Sequence, residues 1–492
     1  MKDLKDKTIR GGFARMCAQA ANFVLRLGSL MVLARLLGPK DFGLVGMVTA
    51  FTGVLTLFRD FGLSSAAVQR ASISEEQVST LFWINILAGT VLSGVALAFA
   101  PFIAAFYHEP RLTKVAIALA ASFLINAAGV QHSAVLQREM RFTTLAVVNT
   151  LALLCGTALG IGGALAGYGY WALVVMTITI PLVSTVGFWV AAGWMPGRPR
   201  RGVGLRSMMH FGGLLTLNGL VVYLATNLEK ILLGRFWGVD ALGLYGRAYQ
   251  LINIPTDNLN AAAGEVGFAA LSRLQNDKPR LKNYFLKGYS LVLALTLPIT
   301  IACGLFSQDV VAVVLGPKWK AAAAIFRYLS PTILVFAIAN PLGWLLSALG
   351  LVKRLVKMAV ALAVVMIAGY IIGLRYGPTG VAIAYSTVMT LSVLPLVAWA
   401  VHGTPISFSD LMHTVRKPLM SSVAAAALAY GTRALYGQFL APLPCLVLEC
   451  AVLLICYATL LLVVGKQKEL YLELLRTLLR PTSRKNESLV SA

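Results

Sequence analysis

Long apolar runs recur along the whole sequence and constrain the fold more than any other feature. The chain has 492 residues, of which 58% are hydrophobic and 12% charged, whereas a soluble protein carries about 25% charged residues. A run of about 18 apolar residues is long enough to cross a bilayer as a helix. We count about fourteen such runs, and the eighth, 240–265, is the least regular because Pro255, Asp257 and Asn258 interrupt it. The sequence predicts an all-α polytopic membrane protein.

The positive charge is distributed unevenly between the loops. The chain carries 42 Lys and Arg against 19 Asp and Glu, a net charge of +23. Basic residues concentrate in alternate loops, as at 2–10, 198–206, 273–287 and 353–357. This asymmetry follows the positive-inside rule and predicts that both termini are cytoplasmic. No aromatic and basic module accompanies the charge, which argues against a nucleic-acid partner.

Two stretches that lie two hundred residues apart match each other. They are ARLLGPKDFGLVG at 34–46 and GRFWGVDALGLYG at 234–246. An offset that contains six spans, an even number, keeps the orientation in the membrane, so the repeats are parallel. The matched pairs are Arg35 and Arg235, Gly38 and Gly238, Gly43 and Gly243, Leu44 and Leu244, and Gly46 and Gly246.

The repeat predicts two six-helix bundles around a central cavity, followed by two additional C-terminal helices. The predicted parts are an N-terminal lobe (1–194), a basic cytoplasmic linker (195–207), a C-terminal lobe (208–402), two appended helices (403–465) and a cytoplasmic amphipathic helix with a tail (466–492). The amphipathic segment is predicted to lie on the inner leaflet or to dock a protein partner.

Polar residues on the first span form a stripe that a lipid-facing helix would not carry. Arg15, Gln19, Asn22 and Arg26 are spaced four, three and four residues apart, which places them on one helix face. The two guanidiniums lie roughly 16 Å apart along the axis. Arg15 is close enough to the cytoplasmic end to extend its side chain to the membrane surface, whereas Arg26 predicts a wet cavity. A cationic cavity suits an anionic, phosphate-bearing substrate.

Further ionisable residues fall in or beside the predicted spans. Lys230 extends a polar stripe on span 7, where interfacial anchoring is an equal alternative to substrate contact, and Arg247 lies on span 8. Four acidic residues are candidates for proton or cation coupling, or for charge partners of nearby arginines. They are Asp60, Glu229, Asp257 and Glu265.

Several segments resemble the polysaccharide-transporter branch of the MOP flippase superfamily, the Wzx-type exporters. They include GYGYWALV (167–174), ALSRLQ (270–275) and above all NLEKILLGRFWGVDALGLYGRAYQL (227–251). The resemblance implies a flippase that moves undecaprenyl-pyrophosphate-linked oligosaccharide across the inner membrane by alternating access, for exopolysaccharide, capsule or O-antigen. It assigns the substrate-binding arginines to positions 15, 26 and 247. Thr226 stands where the family pattern has an arginine, and Lys230 follows one turn later.

Other classes of function lack sequence support. No phosphate-binding loop of the GxxxxGK[ST] type and no HExxH pattern occurs, so no enzyme activity, metal or cofactor is predicted. A drug or cation antiporter of the same superfamily would need acidic residues in the cavity, where arginine dominates here. A membrane oligosaccharide polymerase, a glycosyltransferase and an assembly scaffold are the remaining alternatives. The predicted partners are the lipid-linked oligosaccharide and membrane lipids.

Overall fold

The computed structural model describes residues 22–58, 74–200, 206–436, 441–464 and 467–469. These residues are almost entirely helical, and none of them lies in a β-strand, which confirms the predicted all-α class. The helices are α1 (22–36), α2 (Pro39–Leu57), α3 (Glu75–Tyr107), α4 (Arg111–Arg138), α5 (Phe142–Leu165), α6 (Tyr170–Ala192), α7 (Arg206–Leu274), α8 (Lys278–Leu305), α9 (Ser307–Val314), α10 (Ala322–Leu329), α11 (Pro331–Ala348), α12 (Val352–Leu374), α13 (Gly377–Val401), α14 (Phe408–Tyr436) and α15 (Pro442–Thr459).

Many of the helices are long and apolar enough to cross a membrane. Within the described residues, ten helical stretches are long and apolar enough to span a bilayer. The chain is therefore a multi-pass membrane protein, and the count of fourteen spans stays a prediction. Pro255, expected to interrupt the eighth span, lies inside α7, which continues to Leu274. A proline is tolerated there because neighbouring groups in a helical bundle satisfy the backbone groups that it frees.

Helix starts follow from local sequence signals. Pro39 is the first residue of α2, where its missing N–H is not needed. At the start of α3, the Ser74 hydroxyl accepts a hydrogen bond from the Gln77 N–H at 3.2 Å. The Gln77 side chain accepts one from the Ser74 N–H at 3.1 Å. Such a capping box satisfies two backbone donors that the helix itself cannot pair.

The two repeats break their first helix differently. In the first repeat, α1 ends at 36 and α2 begins at Pro39, with Gly38 at φ −102°. In the second repeat, α7 runs through the equivalent position and breaks at Gly238, where φ is +78° and ψ is −169°. That backbone conformation is essentially restricted to glycine. The break divides α7 into α7a (206–237) and α7b (239–274).

The chain divides into two compact units that alternate along the sequence. The first unit comprises Met1–Ala248, Val314–Ile325 and Val360–Ala384, and the second comprises Tyr249–Val313, Phe326–Ala359 and Tyr385–Ala492. These units are defined by compactness, whereas the predicted lobes are defined by the sequence repeat. The lobe boundaries stay a prediction. The segment from 470 onward, predicted as the cytoplasmic tail, lies outside the described residues.

Glycines allow close helix packing inside the first unit. A Cβ on Gly89 of α3 would lie 2.4 Å from the Ala127 side chain of α4, and one on Gly156 of α5 would lie 2.4 Å from Ile180 of α6. In the segment CGTALGIGGALAG (155–167), Gly156, Gly160 and Gly163 pack closely on α6, whereas Gly162 and Gly167 have nothing within 4 Å. In a bilayer, small residues of this kind let helices gain van der Waals contact.

In the second unit, a partly buried ionic cluster ties the appended helices α14 and α15 to α9. The Arg433 guanidinium on α14 lies 2.7 Å from the Asp309 carboxylate on α9 and 3.2 Å from Glu449 on α15. The Tyr457 hydroxyl of α15 donates to the Ala294 carbonyl of α8 at 2.9 Å. Charges of both signs buried together offset part of the desolvation that each alone would suffer.

Candidate functional site

The matched glycines of the two repeats make reciprocal contacts within the first unit. A Cβ on Gly43 of α2 would lie 2.0 Å from the Val239 carbonyl oxygen of α7b. A Cβ on Gly243 of α7b would lie 2.0 Å from the Pro39 carbonyl oxygen of α2. Each glycine therefore packs directly on the other repeat's backbone, at positions related by the offset of 200. We call the set of Pro39, Gly43, Val239 and Gly243 the glycine contact.

Side chains beside the glycine contact continue the same symmetry. The Lys40 ammonium lies 3.8 Å from the Asp240 carboxylate, and both side chains are largely exposed. Residues 40 and 240 are again related by the offset of 200. An exposed pair of this kind contributes little to stability. It marks the register in which the two helix starts meet.

One pair in this region breaks the symmetry. The Arg247 guanidinium of α7b lies over the ring of Phe42 of α2, 4.2 Å from its centroid. Phe42 is 5% exposed. The mirror positions of this pair are Leu242 and Met47, both apolar and both buried. The second repeat therefore places a cation where the first places a methionine.

Trp319 holds Phe42 from another direction. This residue follows a Gly-Pro turn, is 0% exposed, and meets the Phe42 ring edge-on at 5.4 Å between centroids. Its indole N–H donates to the Ala34 carbonyl at 2.8 Å. The neighbouring Lys318 ammonium donates to the Arg35 carbonyl at 3.2 Å. The last carbonyls of α1, which lack partners within their helix, are capped by this loop.

Arg235 of the second repeat contacts a loop of the first repeat. Its guanidinium donates to Nδ1 of His108, the residue that ends α3, and lies 5.5 Å from the Phe106 ring centroid. This contact anchors the end of α7a to the loop that follows α3. Each repeat thus holds a loop of the other near the glycine contact.

The predicted polar stripe of span 7 lies on α7a. Its Tyr223 hydroxyl donates to the Ala50 carbonyl of α2 at 3.0 Å. The Lys230 ammonium donates to the Asn227 side-chain oxygen at 2.7 Å. Glu229 is 0% exposed, and no hydrogen bond from the described residues reaches its carboxylate oxygens. The stripe therefore holds a buried carboxylate next to a half-buried lysine.

The remaining predicted site residues are distributed over several places. Asn22 is half-buried and Arg26 exposed, both on α1. Asp257 is an exposed residue of the second unit. Arg15, Gln19 and Asp60 lie outside the described residues, as does the side chain of Glu265.

The sequence alone did not indicate Phe42 or Trp319. Phe42 stands inside the recognised repeat, but its partner at the equivalent position, Leu242, is not aromatic. Trp319 lies in the short connection between α9 and α10, far from α2 along the chain. A usable signal was the Gly316-Pro317-Lys318-Trp319 run, because a tryptophan directly after a tight turn needs a place to bury its ring.

The region around the glycine contact combines close backbone packing with a charged side chain. Among the described residues, no group of three or more His, Cys, Asp or Glu side chains is placed to hold a metal ion. The glycine contact joins two backbones that only glycine lets approach so closely. Beside it, Arg247 offers a planar set of donors suited to phosphate oxygens.

An all-helical membrane fold built from parallel repeats is typical of secondary transporters. The family described as polysaccharide biosynthesis protein matches residues 32–324, more than half of the chain, and the chain belongs to this family. This confirms the resemblance that the sequence segments indicated.

Three relatives illustrate the family. The lipopolysaccharide biosynthesis protein WzxC of Escherichia coli (strain K12) is 27% identical over 400 residues, 80% of either chain. The teichuronic acid biosynthesis protein TuaB of Bacillus subtilis (strain 168) is 28% identical over 304 residues, 59% of this chain and 61% of TuaB. The succinoglycan biosynthesis transport protein ExoT of Rhizobium meliloti (strain 1021) is 21% identical over 302 residues, 61% of each.

Solved structures share the fold. The lipid II flippase MurJ in an inward closed conformation superposes with a TM-score of 0.75 at 15% identity, over 95% of this chain and 100% of MurJ. An inward-facing multidrug resistance MATE family transporter of the MOP superfamily gives a TM-score of 0.64 at 16% identity, over 80% of this chain and 96% of the transporter. The predicted superfamily fold is thereby confirmed.

Proposed function

We propose that the protein is a flippase for lipid-pyrophosphate-linked oligosaccharide, which it moves from the cytoplasmic to the outer leaflet of a bacterial inner membrane for extracellular polysaccharide synthesis. The observation that carries this proposal is the reciprocal glycine contact with an arginine of the second repeat beside it. Membership of the polysaccharide biosynthesis family supports it, as do relatives named for polysaccharide biosynthesis and transport.

In the proposed mechanism, two six-helix lobes (1–194 and 208–402) alternate between states open to either side of the membrane. The glycine contact closes one end of the path between the lobes. The positive-inside charge pattern assigns both termini to the cytoplasm and this end to the periplasmic side. A backbone contact without long side chains suits a closure that must form and separate repeatedly, because few rotamers are lost when it forms.

The pyrophosphate of the substrate is bound in this proposal by basic and amide side chains of the inner helices. Arginine stays charged in a low-dielectric site and binds phosphate oxygens with two parallel hydrogen bonds. Lys230 supplies a point charge where the family pattern has an arginine. The proposed binding residues are Arg15, Gln19, Asn22, Arg26, Lys230 and Arg247.

Energy coupling is assigned in this proposal to acidic residues. Glu229 is the leading candidate because it is fully buried beside Lys230, and intramembrane carboxylates often take part in proton or ion movement. Asp60, Asp257 and Glu265 are the further candidates. No enzymatic step is required, since translocation changes no covalent bond. A polysaccharide polymerase and export machinery would receive the product.

A cation antiporter is the second candidate, favoured by the buried Glu229 and by the MATE-like fold. The two functions make opposite demands on the inner residues, because a cationic substrate needs carboxylates and an anionic one needs arginines. Loss of the arginines would therefore leave export of an organic cation intact and abolish flipping of a pyrophosphate lipid.

A reconstituted assay tests the proposal. Proteoliposomes that contain the full-length chain receive a lipid-pyrophosphate-linked oligosaccharide, and a membrane-impermeant sugar oxidant or lectin reports its appearance on the opposite leaflet. We expect translocation by the wild type, a strong loss in Arg26→Ala and partial retention in Arg26→Lys. Unimpaired transport by both Arg26 variants would remove this arginine from the site. Transport of an organic cation without transport of the lipid-linked sugar would replace the proposed function with the antiporter.

A further inference from the structure

The ring of Phe42 contacts both α7b and the loop that contains Trp319. Arg247 covers it at 4.2 Å, and Trp319 meets it edge-on at 5.4 Å. Phe42 directly precedes Gly43, whose Cα packs on the Val239 backbone. On α7b, Val239, Gly243 and Arg247 are spaced four residues apart, so all three share one helix face.

A benzene ring is an unusual neighbour for a guanidinium that belongs to a proposed anion site. A carboxylate at position 42 would hold the arginine as a strong ion pair and would compete with a substrate phosphate. The quadrupole of a phenyl ring attracts a desolvated cation by about 2 kcal/mol, which is weaker than a bidentate bond to a doubly charged phosphate. The contact with the ring is therefore one that a doubly charged phosphate outcompetes.

We propose that Phe42 is a positioning residue that holds Arg247 against α2 in the substrate-free protein, and that the pyrophosphate of the lipid-linked substrate draws Arg247 off the ring. This inference rests on the proposed function. Since Phe42 adjoins the glycine contact, release of the ring loosens that contact, and substrate binding thereby opens the end of the path that the contact closes. We call the contact between Phe42 and Arg247 the latch. It has no counterpart at the mirror positions, because Leu242 and Met47 carry no charge.

The mechanism requires that the negative charge on the face of the Phe42 ring, and not the size of the ring alone, holds Arg247. Trp319 fixes the ring orientation, since its indole N–H is held by the Ala34 carbonyl at 2.8 Å and its edge faces the phenyl ring. A ring that is held in place but carries less negative charge on its face should bind Arg247 less tightly. The packing around it would stay the same.

The experiment weakens the ring in steps. Phe42 is replaced by phenylalanines that carry one, two and three fluorines, which lowers the charge on the ring face with little change in size. Spin labels on Lys40→Cys and Asp240→Cys, both exposed positions beside the glycine contact, report the separation of the two helices in a cysteine-free background. The ligand is a short-chain polyprenyl pyrophosphate, and translocation of the lipid-linked oligosaccharide is measured in parallel.

We expect the ligand concentration for half-maximal separation to fall with each fluorine, by roughly tenfold over the series. The KM for translocation should fall with it, while kcat changes less. The same series at Phe51, a ring of α2 that packs against Phe102, Phe106 and Tyr107, is the matched control and should leave both values unchanged. Phe42→Leu should separate the labels without ligand.

Each result decides between the two proposals. If the wild type translocates substrate and the Phe42 series behaves like the Phe51 series, the latch is wrong and the flippase stands. Ligand-dependent separation that follows the fluorine series without any translocation overturns the flippase and supports a pyrophosphate-sensitive latch. Neither separation nor translocation in the wild type overturns both.

Discussion

The two repeats use the same glycines and differ in what surrounds them. Gly43 and Gly243 each pack on the other repeat's backbone with the same clearance. Around them, Phe42 faces Arg247, whereas the mirror positions hold Leu242 and Met47. A symmetric contact supplies a closure that both repeats form together. The single charged pair beside it lets only one of the two equivalent positions respond to an anion.

The largest expected effect falls on the shared glycines. Gly43→Ala and Gly243→Ala each place a methyl group 2.0 Å from a carbonyl oxygen of the other repeat. Overpacking costs about 1–3 kcal/mol, and more where backbone must move, so we expect translocation to fall about 10- to 100-fold in either variant. Translocation rates in proteoliposomes measure this. Gly246→Ala, with nothing within 4 Å, is the control. A large difference between Gly43→Ala and Gly243→Ala would show that the contact is not symmetric in function.

The next effect tests the charged difference between the repeats. Arg247→Met makes the second repeat equal to the first at this position and removes a charge-assisted bond to phosphate, worth about 1.5–3 kcal/mol. We expect at least about a tenfold loss of kcat/KM for the lipid-linked sugar, together with a lower unfolding temperature because the contact of the guanidinium with the Phe42 ring is lost. Met47→Arg should instead destabilise the protein, since Met47 is 0% exposed. Normal transport by Arg247→Met would break the proposed division of roles.

The helix breaks give a third contrast. Gly238 has φ +78° and ψ −169°, a conformation that costs other residues about 1–3 kcal/mol, whereas Gly38 has φ −102°. Gly238→Ala should therefore lower the unfolding temperature in detergent markedly, and Gly38→Ala by less. An alanine adopts the Gly38 conformation freely, and a Cβ there would come no closer than 3.9 Å to another atom, the Asp41 carboxylate. Equal shifts would mean that the kink in the second repeat is not under backbone strain.

The smallest expected effect on stability concerns two loops, the one that follows α3 and contains Glu109 and the one that contains Trp319. The Arg111 guanidinium hydrogen-bonds the Glu109 carboxylate and holds the pKa of Glu109 below its usual 4.5. A depressed carboxyl pKa contributes stability above the unfolded pKa and loses it as the pH falls through the folded value. Glu109→Gln should thus lower stability by less than about 1 kcal/mol at pH 7, and the difference should shrink as the pH falls from the unfolded pKa through the lowered folded pKa.

The loop of the second repeat should behave differently. Trp319→Phe removes a neutral hydrogen bond to the Ala34 carbonyl, worth about 1 kcal/mol. Its destabilisation should therefore be the same at pH 7 and pH 4. Thermal unfolding at both pH values compares the two loops, and a pH-dependent loss in Trp319→Phe would contradict the assignment.

Much of the fold could be predicted because lipid restricts it so strongly. Apolar runs of sufficient length become helices in a bilayer, since no other open backbone structure satisfies its hydrogen bonds there. The repeat at 34–46 and 234–246 was visible as matched glycines. The exact number of spans was harder to predict, because Pro255 lies within a continuous helix and neighbouring groups decide whether a proline ends one.

The site was predicted only in part. Arg247 was identified from the family resemblance, and the structure places it on Phe42. Glu229 and Lys230 were named as neighbours on span 7, but sequence spacing does not show which of them is buried. Trp319 was missed because it follows Ala34 by 285 residues, and no local pattern relates positions so far apart.

The sequence by itself determined that this protein is helical, crosses the membrane many times and repeats the segment 34–46 at 234–246. These properties depend on hydropathy, charge placement and matched residues, which are local or periodic. Only the tertiary structure decided that Gly43 and Gly243 each pack on the other repeat's backbone and that Phe42 meets Arg247. Such contacts depend on how distant helices approach one another, and that approach follows from the packing of the whole unit.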